Sequence, residues 1–154
     1  MKEYKLRGAS LFANVGIAEA YLDSIGVDMK VANEFIPQRA HFYQDVYTKT
    51  HMICGDIKDD DIRTQIVEEA IERNVNFVMA TPPCQGMSTA GQKIKFDERN
   101  SLVMHAIRMV HDLNPRYVLI ENVTDFIITP IMYNGVETML PDVIHQELDD
   151  KYDV

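Results

Sequence analysis

Short apolar runs alternate along this chain with longer segments in which apolar residues recur every three or four positions. The short runs predict buried strands, and the longer periodic segments predict helices. Strands that alternate with helices are typical of the α/β class, with a parallel sheet and crossover helices. The predicted strands are Leu6–Phe12, Met29–Asn33, His51–Cys54, Phe77–Ala80 and Tyr117–Ile120, and the predicted helices are Val15–Ile25, Pro37–Tyr47, Asp59–Arg73, Ser101–Leu113 and Val136–Asp149.

The last part of the chain suggests that the sheet continues. Asn134-Gly135 predicts a turn, and Lys151-Tyr152-Asp153-Val154 has the pattern of the opening of a sixth strand. A sheet is not expected to stop on the first residues of a strand. We therefore expect these 154 residues to be part of a larger protein or one subunit of a naturally split one.

Composition places the chain among ordinary soluble proteins. Its 154 residues suit one domain with a real core, and 46% of them are apolar and 25% charged. No run is long and apolar enough to cross a membrane, and the N-terminus lacks the apolar core of a signal peptide. The two cysteines form no CxxC pair and the five histidines no HExxH pair, so we predict no metal and a cytoplasmic location.

The net charge of −9 argues against this chain binding a nucleic-acid backbone by itself, because phosphate binding requires clustered lysine and arginine. One local exception follows the cysteine loop described next. Gln92-Lys93-Ile94-Lys95 with Arg99 forms a small basic patch, which is either a solvated loop or a contact surface for an anionic partner.

A lone cysteine lies just after the fourth predicted strand, in Thr81-Pro82-Pro83-Cys84-Gln85-Gly86. Two prolines restrict the backbone before the thiol, and ligands of α/β sheets bind beyond the carboxyl ends of strands. Cys84 is thus either a nucleophile held on a stiff loop or a buried cysteine beside a Pro-Pro turn.

Other strand ends carry residues suited to a nucleoside. In Phe12-Ala13-Asn14-Val15-Gly16, the single glycine permits close approach of a ligand to the backbone. Glu34, at the end of the second strand, could accept both ribose hydroxyls or be a solvated strand end, and Phe35 could face an adenine or belong to the core.

Two further acids follow the third and fifth strands. Asp56, in Gly55-Asp56-Ile57, could accept a hydrogen bond from an exocyclic amine or cap the next turn. Glu121, in Glu121-Asn122, faces a second pocket with Cys84 or is a solvated strand end. Together the strand ends predict a nucleoside pocket beside a pocket that holds a thiol and a carboxyl.

These motifs, in this order, resemble the N-terminal half of the catalytic domain of cytosine-5 DNA methyltransferases. The resemblance spans nearly the whole chain, and the Pro-Cys-Gln loop with a downstream Glu-Asn-Val is its most specific part. The matching segments are Leu11–Gly16, Asn33-Glu34, Gly55–Ile57, Pro82–Gly86, Met87-Ser88 with Gly91, Arg99–Leu102 and Glu121–Val123.

The resemblance implies a doubly wound, Rossmann-like sheet. It also implies S-adenosylmethionine as the methyl donor and S-adenosylhomocysteine as the product. It implies a bacterial or phage restriction-modification enzyme acting on double-stranded DNA with a flipped-out cytosine. By analogy, Cys84 would be the nucleophile and Glu121 its partner. The implied donor-binding residues are Phe12, Ala13, Asn14, Val15, Gly16, Glu34, Phe35, Asp56, Ile57, Pro83 and Leu102, and the implied DNA contacts are Gln85, Ser88 and Asn122.

The sequence departs from the family at several positions. Asn14 and Ile17 stand where the family carries glycine, and Ser10 stands where an acid is common. Asn14 tolerates a left-handed backbone, whereas Ile17 adds bulk near the donor. The later arginine-bearing signature, the target-recognition region and the closing elements of the fold are missing, so we expect most DNA contacts to lie elsewhere and this chain alone to be inactive.

Different functions remain open from the residues alone. A nicotinamide-dependent oxidoreductase would share Gly16 and Glu34 but has no need for the Pro-Pro-Cys loop. The same residues would also suit a non-catalytic S-adenosylmethionine-binding module, a subunit completed by a second chain, or a tRNA cytosine-5 methyltransferase.

Overall fold

The computed structural model describes residues 5–83 and 101–154. These residues form two compact units. The first contains residues 5–81 and 109–121, and the second contains residues 82–83, 101–108 and 122–154. Within the described part of the chain, no helix is long and apolar enough to span a membrane, and no group of three or more metal-binding side chains gathers at one point.

The first unit is built on a parallel sheet whose strands are β1 (Leu6–Leu11), β2 (Val27–Glu34), β3 (His51–Cys54), β4 (Phe77–Ala80) and β5 (Tyr117–Ile120). Their spatial order is β3-β2-β1-β4-β5. The chain steps outward from β1 to β3 and then crosses back to β4, so the order reverses between β1 and β4. In open α/β sheets, ligands bind beyond the carboxyl ends of the strands at such a reversal.

Helices cover both faces of this sheet, as predicted. Helix α1 (Pro37–Val46) connects β2 to β3, and α2 (Asp60–Glu72) connects β3 back to β4. Because right-handed crossovers in opposite directions place their helices on opposite faces, the sheet is doubly wound. Strand β4 is buried at all four positions, which explains its uninterrupted apolar sequence.

A bulge in β2 determines which way the end of that strand faces. Gly8 of β1 pairs with Met29, but Ala9 pairs with Val31, so β2 contains one extra residue. A shift of one residue exchanges the two faces of a strand. After the bulge, Ala32 packs on Tyr43 of α1. Glu34, two residues further on, therefore points to the α1 face.

The second unit contains a hairpin, one complete helix and the first part of another. Strands β6 (Pro130–Tyr133) and β7 (Val136–Met139) are antiparallel, and α4 (Leu140–Leu148) follows directly; α3 (Leu102–Leu113) begins in this unit. The predicted turn Asn134-Gly135 is confirmed, with φ of 50° and 80° at the two residues. Paired left-handed residues of this kind match the twist of a two-residue hairpin loop.

The predicted helix Val15–Ile25 is wrong. The chain forms turns there, followed by a short 3-10 helix at Asp23–Ile25. Its side chains explain the difference: Ile17 and Tyr21 are 79% and 82% exposed, whereas Glu19 is buried. Most of the large apolar positions face outward, so the segment lacks the continuous buried apolar stripe that stabilises an amphipathic helix.

The end of the chain also differs from the prediction. Residues predicted as a helix over Val136–Asp149 form β7 and then α4, which begins at Leu140 with Pro141 in its first turn. Proline fits that position because the first N–H groups of a helix have no partner within the helix. Lys151–Val154 is not a strand.

The amino end of α2 generates a first prediction. The side chain of Asp59 accepts a hydrogen bond from the backbone N–H of Asp61 at 2.8 Å and so caps the helix. We expect Asp59→Ala to lower the free energy of unfolding by about 1 kcal/mol, since an unpaired helical N–H is left behind. Asp59→Asn keeps the acceptor and serves as the control. Urea denaturation measures both, and equal midpoints for the two variants would contradict the assignment of this cap.

Candidate functional site

The turn that follows β1 has an unusual backbone. Phe12, Asn14 and Gly16 have φ of 60°, 52° and 83°, so alternate residues adopt the left-handed conformation. Asparagine and glycine tolerate it, as expected at Asn14, whereas a bulky residue such as phenylalanine rarely does. Strained backbone of this kind occurs at ligand sites and persists only where the surroundings enforce it.

Several hydrogen bonds enforce this turn. Within it, the N–H of Gly16 donates to the carbonyl oxygen of Ala13 at 2.9 Å. From β2, the carbonyl oxygen of Asn33 accepts the N–H of Ala13 at 2.9 Å. From the end of β4, the hydroxyl of Thr81 donates to the carbonyl oxygen of Phe12 at 3.0 Å. The turn is thus anchored to both strands that neighbour β1.

Glu34 provides the strongest of these anchors. It is buried, and its two carboxylate oxygens accept the N–H groups of Asn14 and Ile36, each at 2.8 Å. This excludes the solvated strand end that the sequence left open. Each carboxylate oxygen has a second lone pair, so the group can still accept a hydroxyl from a ligand.

The side chains next to Glu34 differ in exposure. Phe35 is 64% exposed, so it is not a core aromatic, and its ring is accessible for stacking. Asn33 is buried and donates from Nδ2 to the carbonyl oxygens of Ile53 and Gly55, each at 3.0 Å. Asn33 thereby ties the end of β3 to the end of β2.

Asp56 follows β3 and caps a turn. Its side chain accepts the N–H of Lys58 at 3.0 Å and lies 3.5 Å from the Lys58 ammonium. The side chain of Asp56 is 36% exposed, and Ile57 beside it is buried. Capping is one of the two roles that the sequence allowed, and it leaves part of the carboxylate accessible to a ligand.

The other predicted residues are distributed over both units. Glu121 is exposed at the end of β5, and its N–H donates to the carbonyl oxygen of Ala80. In the second unit, Asn122 donates from Nδ2 to the carbonyl oxygen of Pro82 at 3.0 Å, and Pro83 and Leu102 are half-buried. Cys84, Gln85, Ser88 and the basic patch lie outside the described residues.

A polar cluster behind the turn has no counterpart among the sequence motifs. Ser10 donates its hydroxyl proton to Oε1 of the buried Glu19. Glu19 Oε2 and the Tyr43 hydroxyl have no hydrogen-bond partner among residues 5–83 and 101–154. Burial raises the pKa of Glu19, against the opposing effect of the Ser10 hydrogen bond. Burial and the nearby Glu19 also raise the pKa of Tyr43. No spacing rule joins residues 10, 19 and 43, so the pattern of the sequence did not identify them.

Comparison with known proteins identifies the family. A sequence model of C-5 cytosine-specific DNA methylases matches residues 6–145, which include every candidate site residue named above. The chain belongs to the C-5 cytosine-specific DNA methylase family. Its restriction-modification relatives include the Type II methyltransferase M1.HgaI of Avibacterium volantium, which is 37% identical over 154 residues, 97% of this chain and 43% of the relative.

Other Type II methyltransferases match over shorter stretches. M.HhaI of Haemophilus parahaemolyticus is 33% identical over 122 residues, 79% of this chain and 35% of the relative. A solved E. coli prophage protein, provisionally assigned as a DNA modification methyltransferase, has the same fold. Its TM-score is 0.73 at 23% identity, covering 97% of this chain and 39% of that one. The chain thus spans less than half the length of these relatives.

Glu34 generates a second prediction. Glu34→Gln turns one acceptor oxygen into an NH₂ group that faces a backbone donor. We expect the free energy of unfolding to fall by about 1–3 kcal/mol, the cost of leaving a buried hydrogen-bonding group unpaired. Glu68→Gln, at an exposed position of α2, is the matched control. Chemical denaturation compares them, and an equal effect of the two variants would remove Glu34 as the anchor of the turn.

Glu19 generates a third prediction, on pH dependence. A carboxyl whose pKa is raised by folding binds its proton more tightly in the folded state. The free energy of unfolding therefore falls as pH rises from the ordinary glutamate value, about 4.5, towards the raised pKa. Glu19→Gln removes this titration. We expect the free energy of unfolding of the variant, relative to that of the unaltered protein, to increase as pH rises through that interval. The difference should then stay constant at higher pH.

Thermal unfolding at a series of pH values measures this gain. Glu72→Gln, at the exposed end of α2, provides the matched charge change on the surface. A stability difference for Glu19→Gln that stays flat between mildly acidic and neutral pH would contradict the burial of an uncompensated carboxylate at position 19.

Proposed function

We propose that the complete protein transfers a methyl group from S-adenosylmethionine to carbon 5 of a flipped-out cytosine in double-stranded DNA. The observation that carries this proposal is the left-handed turn at residues 12–16, anchored by a buried glutamate at the reversal point of the sheet. An α/β sheet binds nucleosides at such a reversal point. Membership in the C-5 cytosine-specific DNA methylase family indicates the class of reaction.

The described residues fit a nucleoside donor. The proposed roles are ribose binding for Glu34, stacking on adenine for Phe35, and contact with the adenine edge for Asp56 and Ile57. Residues 12–16 would approach the rest of the donor through their backbone. Pro83 and Leu102 are proposed as further donor-binding residues. When bound, S-adenosylmethionine supplies an electrophilic methyl group on a sulfonium.

Cys84 and Glu121 are proposed to act on the cytosine. The Cys84 thiolate forms a bond to carbon 6, and the electrons of the carbon 5–carbon 6 double bond make carbon 5 nucleophilic. Glu121 is proposed to form a hydrogen bond with ring N3 and to stabilise the charge that develops there. After methyl transfer, a base removes the proton from carbon 5, and the electrons of that bond expel the thiolate.

The DNA contacts are proposed to be shared with other parts of the complete protein. Gln85, Ser88 and Asn122 would lie near the extruded base. A chain of net charge −9 has little electrostatic attraction for phosphates, and the relatives have more than half their length outside the matched region. Either a continuation of this polypeptide or a complementing chain would supply the remaining contacts.

The fourth prediction concerns the nucleophile. We expect Cys84→Ala in the complete protein to lower methyl transfer by at least about a thousandfold, because no other thiol is proposed to add to carbon 6. Incorporation of tritiated methyl groups into duplex DNA measures turnover. The chain offers a matched control in Cys54→Ala, since Cys54 is free and exposed at the end of β3 and should leave turnover unchanged.

A second readout isolates the covalent step. Duplex DNA with 5-fluorocytosine at the target should trap the unaltered protein and Cys54→Ala as denaturation-resistant adducts, because the carbon 5 fluorine cannot leave as a proton does. Full turnover by Cys84→Ala would refute the assigned nucleophile. Methylation of tRNA but not of DNA would refute the substrate, and binding of NAD but not of S-adenosylhomocysteine in calorimetry would refute the donor.

A further inference from the structure

The carbonyl group of Gly16 has a hydrogen-bond donor that belongs to no recognised sequence motif of this chain. Gly16 is buried at the end of the left-handed turn, and its carbonyl oxygen accepts the hydroxyl of Tyr47, 31 positions along the chain. The Glu34 carboxylate accepts the N–H of Asn14, and the Thr81 hydroxyl donates to the carbonyl oxygen of Phe12. The hydrogen bond from Tyr47 is therefore the third long-range hydrogen bond between a side chain and this turn, and it lies at the last residue of the turn.

Tyr47 is itself fixed in place. Its N–H donates to the carbonyl oxygen of Tyr43 at 2.8 Å, and its own carbonyl oxygen accepts the N–H of Thr50 at 3.0 Å. The rings of Tyr43 and Tyr47 pack with centroids 4.6 Å apart, and Tyr43 is fully buried. A hydroxyl mounted on such a rigid ring can hold its acceptor in one position.

The fit between Tyr47 and Gly16 is also steric. A Cβ built on Gly16 would overlap Cε2 of the Tyr47 ring and would lie 3.0 Å from two carbons of Tyr43. The tyrosine rings thus occupy the space that any side chain at position 16 would need. Burial and the nearby Glu19 raise the pKa of Tyr47, so its hydroxyl stays protonated and able to donate at neutral pH.

We propose that Tyr47 is a positioning residue for the methyl donor: its hydroxyl holds the Gly16 carbonyl and so sets the backbone of residues 12–16 in the conformation that receives S-adenosylmethionine. This role rests on the proposed function, because it assigns the donor to that turn. Tyr47 acts through the backbone and does not touch the reacting atoms.

The test removes only the hydroxyl. Tyr47→Phe keeps the ring packed on Tyr43 but leaves the Gly16 carbonyl without its donor. We expect the dissociation constant of S-adenosylhomocysteine, measured by calorimetry on the complete protein, to rise about fivefold to thirtyfold, the effect of losing one buried hydrogen bond. Tyr21→Phe is the matched control, since Tyr21 lies in the segment after the turn and is 82% exposed.

Steady-state kinetics separates positioning from general destabilisation. For Tyr47→Phe we expect a higher KM for S-adenosylmethionine, with KM for DNA and kcat within about twofold of the unaltered protein. If the unaltered protein does not bind S-adenosylhomocysteine, the proposed function fails. If the unaltered protein and Tyr21→Phe bind it and Tyr47→Phe binds equally well, or loses kcat alone, the positioning role of Tyr47 is overturned while the proposed function stands.

Discussion

The buried carboxylate of Glu34 joins the carboxyl ends of two adjacent strands, and the geometry of the candidate donor site depends on this group. One oxygen accepts from Asn14, beyond β1, and the other from Ile36, beyond β2. Hydrogen bonds to an ionised acceptor are roughly twice as strong as neutral ones. The extra residue at the bulge in β2 is what brings Glu34 onto this face, so a detail of strand register determines where the turn is held.

The hydrogen bonds that anchor the turn offset its conformational strain. A residue held in a sparsely populated backbone region costs about 1–3 kcal/mol, and Phe12 at φ of 60° is such a residue. The hydrogen bonds that Thr81 and Tyr47 donate to the turn, and the one that the Glu34 carboxylate accepts from Asn14, each contribute about 1 kcal/mol or more. The strained backbone thus persists because groups from β2, β4 and the end of α1 all fix the same five residues.

The sheet could be predicted from the sequence because its strands are defined by local composition. His51–Cys54, Phe77–Ala80 and Tyr117–Ile120 were each predicted with the bounds observed, since a short apolar run between turn residues has few other interpretations. The wrong helix at Val15–Ile25 had a suitable period. Ile17, Tyr21 and Ile25 proved to be exposed, and exposure depends on tertiary structure rather than on spacing.

The candidate site was predictable only in part, for a related reason. The sequence predicted that Asn14 tolerates a left-handed backbone, which its φ of 52° confirms, and it proposed Glu34 as a hydroxyl acceptor from its residue type. The contact of Tyr47 with Gly16 was not found, since it joins positions 31 residues apart through the packing of α1. The Glu19 cluster was also missed, because a buried carboxylate has the same sequence signal as an exposed one.

The order of the strands largely separates the residues proposed to bind the methyl donor from those proposed to act on the cytosine. Most residues proposed for the donor follow β1, β2 and β3, with Pro83 and Leu102 as the exceptions after β4, whereas those proposed for the cytosine follow β4 and β5 in the chain. The reversal of the sheet lies between β1 and β4, the strands that precede Phe12 and Thr81. The hydrogen bond from the Thr81 hydroxyl to the Phe12 carbonyl crosses that boundary. It fixes Thr81, the residue that precedes Pro82 and Pro83, against the turn at residues 12–16, so the pairing of β1 with β4 sets the position at which the chain leaves the sheet.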